Sequence, residues 1–236
     1  MNIVISLSFA IIPVVYLLYY FYKKDSQKPE PIGLIFKVFF FGILGVFVAV
    51  FFEVLVSTLK PFFAFSIIAY IGFEAFVVAG LVEESVKLYI VKKSIYKNEK
   101  FDEIMDGIIY TIAVSLGFAC FENIIYVMGS GIGVAILRGV TAVPMHAIMS
   151  GIMGYYIGQA KFASSSQEEK RLIKKGLKIA ILLHGTYDFS IMILKVLPGL
   201  VWISIAFVFV LIYFSGGHLN KLIKDAKMFD RAEGRS

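Results

Sequence analysis

The sequence predicts an all-α fold: a polytopic membrane helical bundle of about seven transmembrane helices, with the N-terminus outside and the C-terminus cytoplasmic. Three observations carry that expectation. Of the 236 residues, 59% are hydrophobic and only 17% charged, against roughly 25% charged in a soluble domain. The apolar residues gather in runs, several of which approach or exceed the ~20 residues that span hydrocarbon. Lysine and arginine concentrate in alternate connecting segments, the pattern that sets orientation in a bilayer.

The first run, 3 to 22, has no basic leader and ends on Tyr16, Tyr19, Tyr20, Phe21 and Tyr22 without a small-residue cleavage site. It reads as a retained helix with an interfacial aromatic belt, not as a removed signal peptide. A second run covers 32 to 58. The third, 62 to 91, is too long for one perpendicular helix, and Gly72 marks the expected change from a short interfacial piece to the true span. Runs at 105 to 128, 134 to 160, 179 to 196 and 200 to 215 complete the set. In the fifth, Gly154 and Gly158 lie four apart beside Ser150 and Gly151, which allows close helix contact of the ordinary bundle kind.

Segments 23–31, 92–104, 161–178 and the tail from 216 hold most of the basic residues, while the alternate set holds little beyond Lys60 and Lys195. The positive-inside rule puts the first set in the cytoplasm. The net charge of +6 is then an orientation signal and a contact with lipid headgroups, and nucleic acid is not an expected partner. Cys120 is the single cysteine and falls in a predicted span, which excludes an intrachain disulfide and a cysteine-based zinc site. The whole chain, 1–236, is expected to form one domain in the lipid bilayer.

Four apolar stretches carry ionisable groups: Glu83-Glu84-Ser85-Val86-Lys87, Phe118 to Glu122, His146, and His184-Gly185-Thr186-Tyr187-Asp188. Such groups are costly in a span and must be paired, wetted or used for chemistry. Counting from each span's midpoint at 1.5 Å per residue sorts them by depth. Glu53, Glu74, Glu122 and Arg138 fall toward the outer side, and Asp106 at the inner edge. Glu83, Glu84, Lys87, His146, His184 and Asp188 cluster near the midplane, where three helices can bring them into one pocket.

Plain neutralisation explains some of them. Lys87 lies four and three residues after Glu83 and Glu84, and Arg138 can pair with Glu122 or Glu74. Two histidines at the depth of a glutamate pair favour a site instead. Adjacent glutamates point about 100° apart on a helix, so separate roles are expected. One acts as the base that takes a proton from water, and the other is held by Lys87 or a helix neighbour. His184 and Asp188 are i and i+4, so Asp188 can orient an imidazole that donates to a developing oxyanion.

Gly-x-Ser-x-Gly, His-Glu-x-x-His and Gly-x-Gly-Asp are absent, as is a phosphate-binding glycine loop. This removes sequence support for serine-type, HExxH-type and GxGD-type hydrolases and for a transport ATPase.

Glu83-Glu84-x-x-Lys87, Phe118-x-x-x-Glu122-Asn123, His146 following Pro144, and His184-Gly-Thr-Tyr-Asp188 occur in that order within residues 72–190. In these motifs the chain resembles the PrsW family of bacterial intramembrane proteases, a branch of the group that includes the type II CAAX prenyl endopeptidases. The resemblance implies a multi-pass protease of the bacterial cell membrane. Its substrate would be a single-span anti-sigma factor, cut first on the extracytoplasmic side to free a stress-responsive sigma factor. It also implies that Glu83 and Glu84 are an essential pair and His184 an essential histidine. Where the prenyl-endopeptidase relatives end the second motif in histidine this chain has Glu122, whose outward depth makes it a structural residue.

The expected catalytic set is Glu83, Glu84, His146 and His184, supported by Lys87, Asp188, Glu122 and Asn123, with water activated by glutamate and no metal or other cofactor. The nearest alternative keeps the reaction and adds zinc on Glu83, His146 and His184. A non-enzymatic alternative is a proton-coupled transporter or a receptor. Against it, no internal repeat is visible, and the last span has no lysine for a retinal Schiff base.

Overall fold

A computed structural model describes residues 3–25 and 28–235, and among these no strand occurs. The helices are α1 (Ile3–Lys24), α2 (Ile32–Ser57), α3 (Ile67–Phe73), a π-helix (Glu74–Leu81), α4 (Val82–Ser94), α5 (Ile104–Ser130), α6 (Ile132–Val140), α7 (Ala142–Lys161), α8 (Ser166–Met192) and α9 (Val201–Ala232). Six helical segments among the described residues are long and apolar enough to cross a membrane: 5–24, 32–57, 104–130, 132–161, 166–195 and 198–232.

The third expected span stays helical from Ile67 to Ser94, but it changes type on the way. Its charges, Glu74, Glu83, Glu84 and Lys87, keep it out of the purely apolar class. The short piece before it ends earlier than Gly72. A 3₁₀ turn, Lys60–Phe63, precedes Ser66, whose hydroxyl accepts from the Ala69 amide and caps α3. At Glu74 the chain then widens into the π-helix, a rare geometry most often found as a local insertion near functional sites. The expected fifth span is broken at Thr141 into α6 and α7. The sixth starts well before 179, because Ser165 caps the Glu168 amide and Glu168 and Glu169 in the first turn suit the helix dipole.

Helix α5 is the axis of the bundle and is buried without a break from Ile104 to Cys120. It can be surrounded because glycines let backbones approach. Gly107 of α5 faces Gly154 and Gly158 of α7, and Gly42 of α2 and Gly117 of α5 press on the backbones of each other's helices. A methyl at any of these would overlap the opposite chain. Apolar side chains of α2 and α9, such as Phe36, Phe47, Phe51, Trp202 and Phe214, point outward and are exposed. That surface is what a bilayer-embedded bundle presents to lipid.

Candidate active site

Three charged side chains project from the first turns of α4. Because Lys87 follows Glu84 by three residues and Glu83 by four, one ammonium reaches both carboxylates. Its Nζ donates to Glu84 Oε1 at 2.7 Å and to Glu83 Oε2 at 3.2 Å. Lys87 is fully buried, so these contacts must compensate its desolvation. Two further partners come from other helices. Nδ1 of His146 on α7 lies 3.1 Å from Nζ, and the ring of Phe118 on α5 lies 4.5 Å below it.

His184 arrives from α8. The approach depends on two glycines: Gly80 of the π-helix lies against the Ile181 and Gly185 backbone, and the ring of Phe76 fills the space a Gly185 side chain would need. Nδ1 of His184 thereby sits 3.0 Å from Glu84 Oε1, while Nε2 faces Asp188 Oδ2 at 3.2 Å and Glu83 Oε1 at 3.8 Å. The two imidazoles meet edge to face, with ring centroids 5.5 Å apart. Since Lys87 donates to His146 Nδ1, the ring proton of His146 belongs on Nε2. That nitrogen points at Glu122 Oε2, 3.0 Å away.

Glu122 therefore differs from its expected place. The pair with Arg138 is present at 3.6 Å, but the same carboxylate touches His146, so the outer layer and the midplane cluster are continuous. Depth counted along the backbone misses this because a glutamate side chain reaches across much of a helical turn. Asn123 is structural in its contacts: its Oδ1 accepts from Arg138 Nε at 2.9 Å and its amide donates to the Ala10 carbonyl at 3.1 Å. Arg138 also stacks on Tyr126, 4.0 Å from the ring centre. Glu74, the other expected partner for Arg138, instead pairs with Lys60 at 3.2 Å.

These groups surround a cavity of about 200 Å³, lined by Glu53, Glu74, Glu83, Glu122, Arg138, His146, His184, Tyr187 and Asp188 among others. Glu83 faces it and Glu84 does not, although both touch Lys87, so the adjacent carboxylates are separated by access and not by which one Lys87 holds. Sequence reasoning assigned no role to Glu53, Phe76, Gly80 or Tyr187. The only available signal was Gly185 inside the last motif.

Two triads have ligand-capable atoms within 4.8 Å of one another: Glu83, Glu84 and His184, and Glu83, Glu122 and His146. Each joins Glu83 to one histidine and one further carboxylate, a donor set suited to zinc and similar ions. Glu84 Oε2 is buried without a hydrogen-bond donor, leaving acceptor capacity for a cation beyond Lys87. The residues present thus fit a divalent ion.

Over residues 30–214 the chain matches a family model described as PrsW family intramembrane metalloprotease. It is 39% identical over 186 residues to Protease PrsW of Geobacillus kaustophilus, covering 79% of each chain. It is 36% identical over 212 residues to Protease PrsW of Bacillus subtilis, 88% of this chain and 91% of that one. With Protease PrsW of Clostridioides difficile it shares 36% over 188 residues, 78% of each. No solved structure matches the chain. The description as a metalloprotease runs against the metal-free expectation and favours the alternative in which the glutamates and histidines hold an ion.

Proposed function

The chain belongs to the PrsW family of intramembrane metalloproteases, a multi-pass protease of the bacterial cell membrane, and from that premise we propose that Glu83 is its general base. The observation that carries this reading is the convergence of Glu83, His146 and His184 on one buried cavity. Glu83 is anchored through Oε2 to Lys87 while its other oxygen is directed toward His184, which suits it to take a proton from a water in the cavity. The water oxygen attacks the scissile carbonyl, and the same carboxyl passes its proton to the leaving amine. His184, held at Nδ1 by Glu84, shifts its Nε2 hydrogen bond from Asp188 to the developing oxyanion. Glu84 works through Lys87 and His184 as a positioning residue.

Zinc is the ion best suited to the donors; Glu122 and His146, the latter through Nε2 once its proton is released, both line the cavity and would hold it, leaving Glu83 free as the base. When bound it supplies Lewis-acid polarisation and a more acidic water. The substrate we infer is a single-span anti-sigma factor, on the strength of the four-motif resemblance. With the basic segments cytoplasmic, the N-terminus lies outside, and Glu53, Glu74 and Lys60 mark the outer mouth where the first cut is made. An apolar groove of about 920 Å³ between α2 and α4 borders the site through Val82, Ser85 and Val86, and gives a substrate helix a lateral path.

The test is cleavage of a single-span anti-sigma reporter by the detergent-purified protein, before and after prolonged chelation. Activity lost on chelation and restored by one zinc per chain supports the metal reading, and full activity in zinc-free protein would refute it. Absence of cleavage of the anti-sigma reporter, with cleavage of other single-span proteins, would leave the protease and remove the substrate.

A further inference from the structure

About 24 Å from Glu122 along α5, at 1.5 Å per residue, the start of the same helix lies in a second cluster of acids. Asp25 follows α1, Glu30 precedes α2, Glu103 and Asp106 open α5, and Asp230 lies in the last turns of α9. All five are at least nine-tenths buried. Part of their acceptor capacity has an obvious use. Asp230 accepts from the Ile104 and Met105 amides at 2.8 and 3.1 Å. Asp106 Oδ2 accepts from the Asp102 and Glu103 amides at 2.8 and 2.7 Å, and Glu103 returns the favour in a capping box. Glu30 accepts from the Tyr110 hydroxyl.

The remaining oxygens have no such use. Asp25 Oδ2 and Glu103 Oε1 are buried without a hydrogen-bond donor, and Asp106 Oδ1 has no donor beyond the Glu30 carboxyl, with which Asp106 shares a side-chain hydrogen bond. The nearest cations are spent elsewhere. Lys28 reaches Glu103 only at 4.0 Å because it is drawn to Asp102 at 2.8 Å and to the Arg235 carbonyl. Lys227 binds the Lys24 carbonyl. Acceptor-only groups turned toward one another out of water are strongly unfavourable unless a cation lies between them.

We propose that Asp25, Glu103 and Asp106 form a second cation site, for a hard divalent ion of the magnesium or calcium class, which clasps the α1–α2 connection to the start of α5. Their ligand-capable oxygens lie within 4.8 Å of one another, the largest separation two oxygens can have on one ion at about 2.4 Å. The donors are oxygen alone, with neither histidine nor cysteine, which selects hard cations and sets this site apart from the imidazole-containing cavity. Asp230, bonded to the first amides of α5, extends the clasp to the end of α9. The role is structural: the ion holds three distant parts of the chain together at one end of the bundle.

The test is thermal unfolding of the detergent-purified full chain, stripped with chelator and titrated with magnesium or calcium chloride at constant ionic strength. Midpoint elevation by about 5 °C at a hundredfold excess over Kd is expected, and the ion that acts at lower concentration identifies the occupant. Asp25→Asn should abolish the shift, whereas Glu83→Gln, at the other site, should keep it. No shift with either ion, or an unchanged shift in Asp25→Asn, overturns the proposal. If Asp25→Asn fails to fold, terbium emission sensitised by Tyr110 in the Glu83→Gln chain decides: emission displaced by calcium or magnesium supports the site, and its absence overturns it.

Discussion

Lys87 Nζ lies 3.1 Å from His146 Nδ1, so a buried ammonium on α4 orients an imidazole on α7 and turns its other nitrogen toward Glu122. Two motifs 59 residues apart in the chain are thereby one hydrogen-bonded unit. Lys87→Met should remove the one cationic contact that Glu84 has among the described residues besides His184 and destabilise the protein by about 3–5 kcal/mol, the cost of breaking a buried charge pair. Thermal unfolding in detergent measures it, and a loss below about 1 kcal/mol would show that Lys87 does not hold the glutamates.

Exposure to the cavity separates the two glutamates. Glu83→Gln should leave stability nearly unchanged and lower kcat by about 10²-fold or more, because the amide keeps its shape and can still accept from Lys87. Glu84→Gln should lose about 1.5–3 kcal/mol of stability through weakened charged hydrogen bonds to Lys87 and His184, with a smaller direct effect on chemistry. Paired unfolding and cleavage assays check the contrast. The reverse pattern would exchange the roles.

Gly185→Ala should cost about 1–3 kcal/mol, since the added methyl meets the Phe76 ring, and should lower kcat by displacing His184. Phe76→Leu in the same chain should recover part of both losses. Without that recovery the Phe76–Gly185 contact is not what positions His184.

The second motif contains two residues with opposite expectations. Glu122→Gln should reduce both stability and cleavage, because its carboxylate touches Arg138 and His146. Asn123→Ala should cost about 1–3 kcal/mol by freeing Arg138 and the Ala10 carbonyl, with cleavage per folded molecule retained. Wild-type kcat in a folded Glu122→Gln chain would return Glu122 to a purely structural role.

Much of this protein was legible along the chain. Apolar runs gave the helices, since a backbone in lipid must satisfy its own hydrogen bonds. The contacts of Lys87 with Glu83 and Glu84, and of His184 with Asp188, follow from helical spacing alone. Gly154 and Gly158 announced a close packing that Gly107 completes. All of these are settled by neighbours within one or two turns, or by how small a residue is.

Tertiary packing decided the rest. That Glu83 and not Glu84 faces the cavity, that Glu122 reaches His146, and that Gly80 and Gly185 bring α8 against the π-helix depend on how helices are rotated and spaced relative to one another. The pattern of one helix carries no record of its partner's rotation. The cluster of Asp25, Glu103 and Asp106 is the clearest case: Asp106 was assigned only a depth, because its meaning lies in a loop residue some 80 positions away that no helical period connects to it.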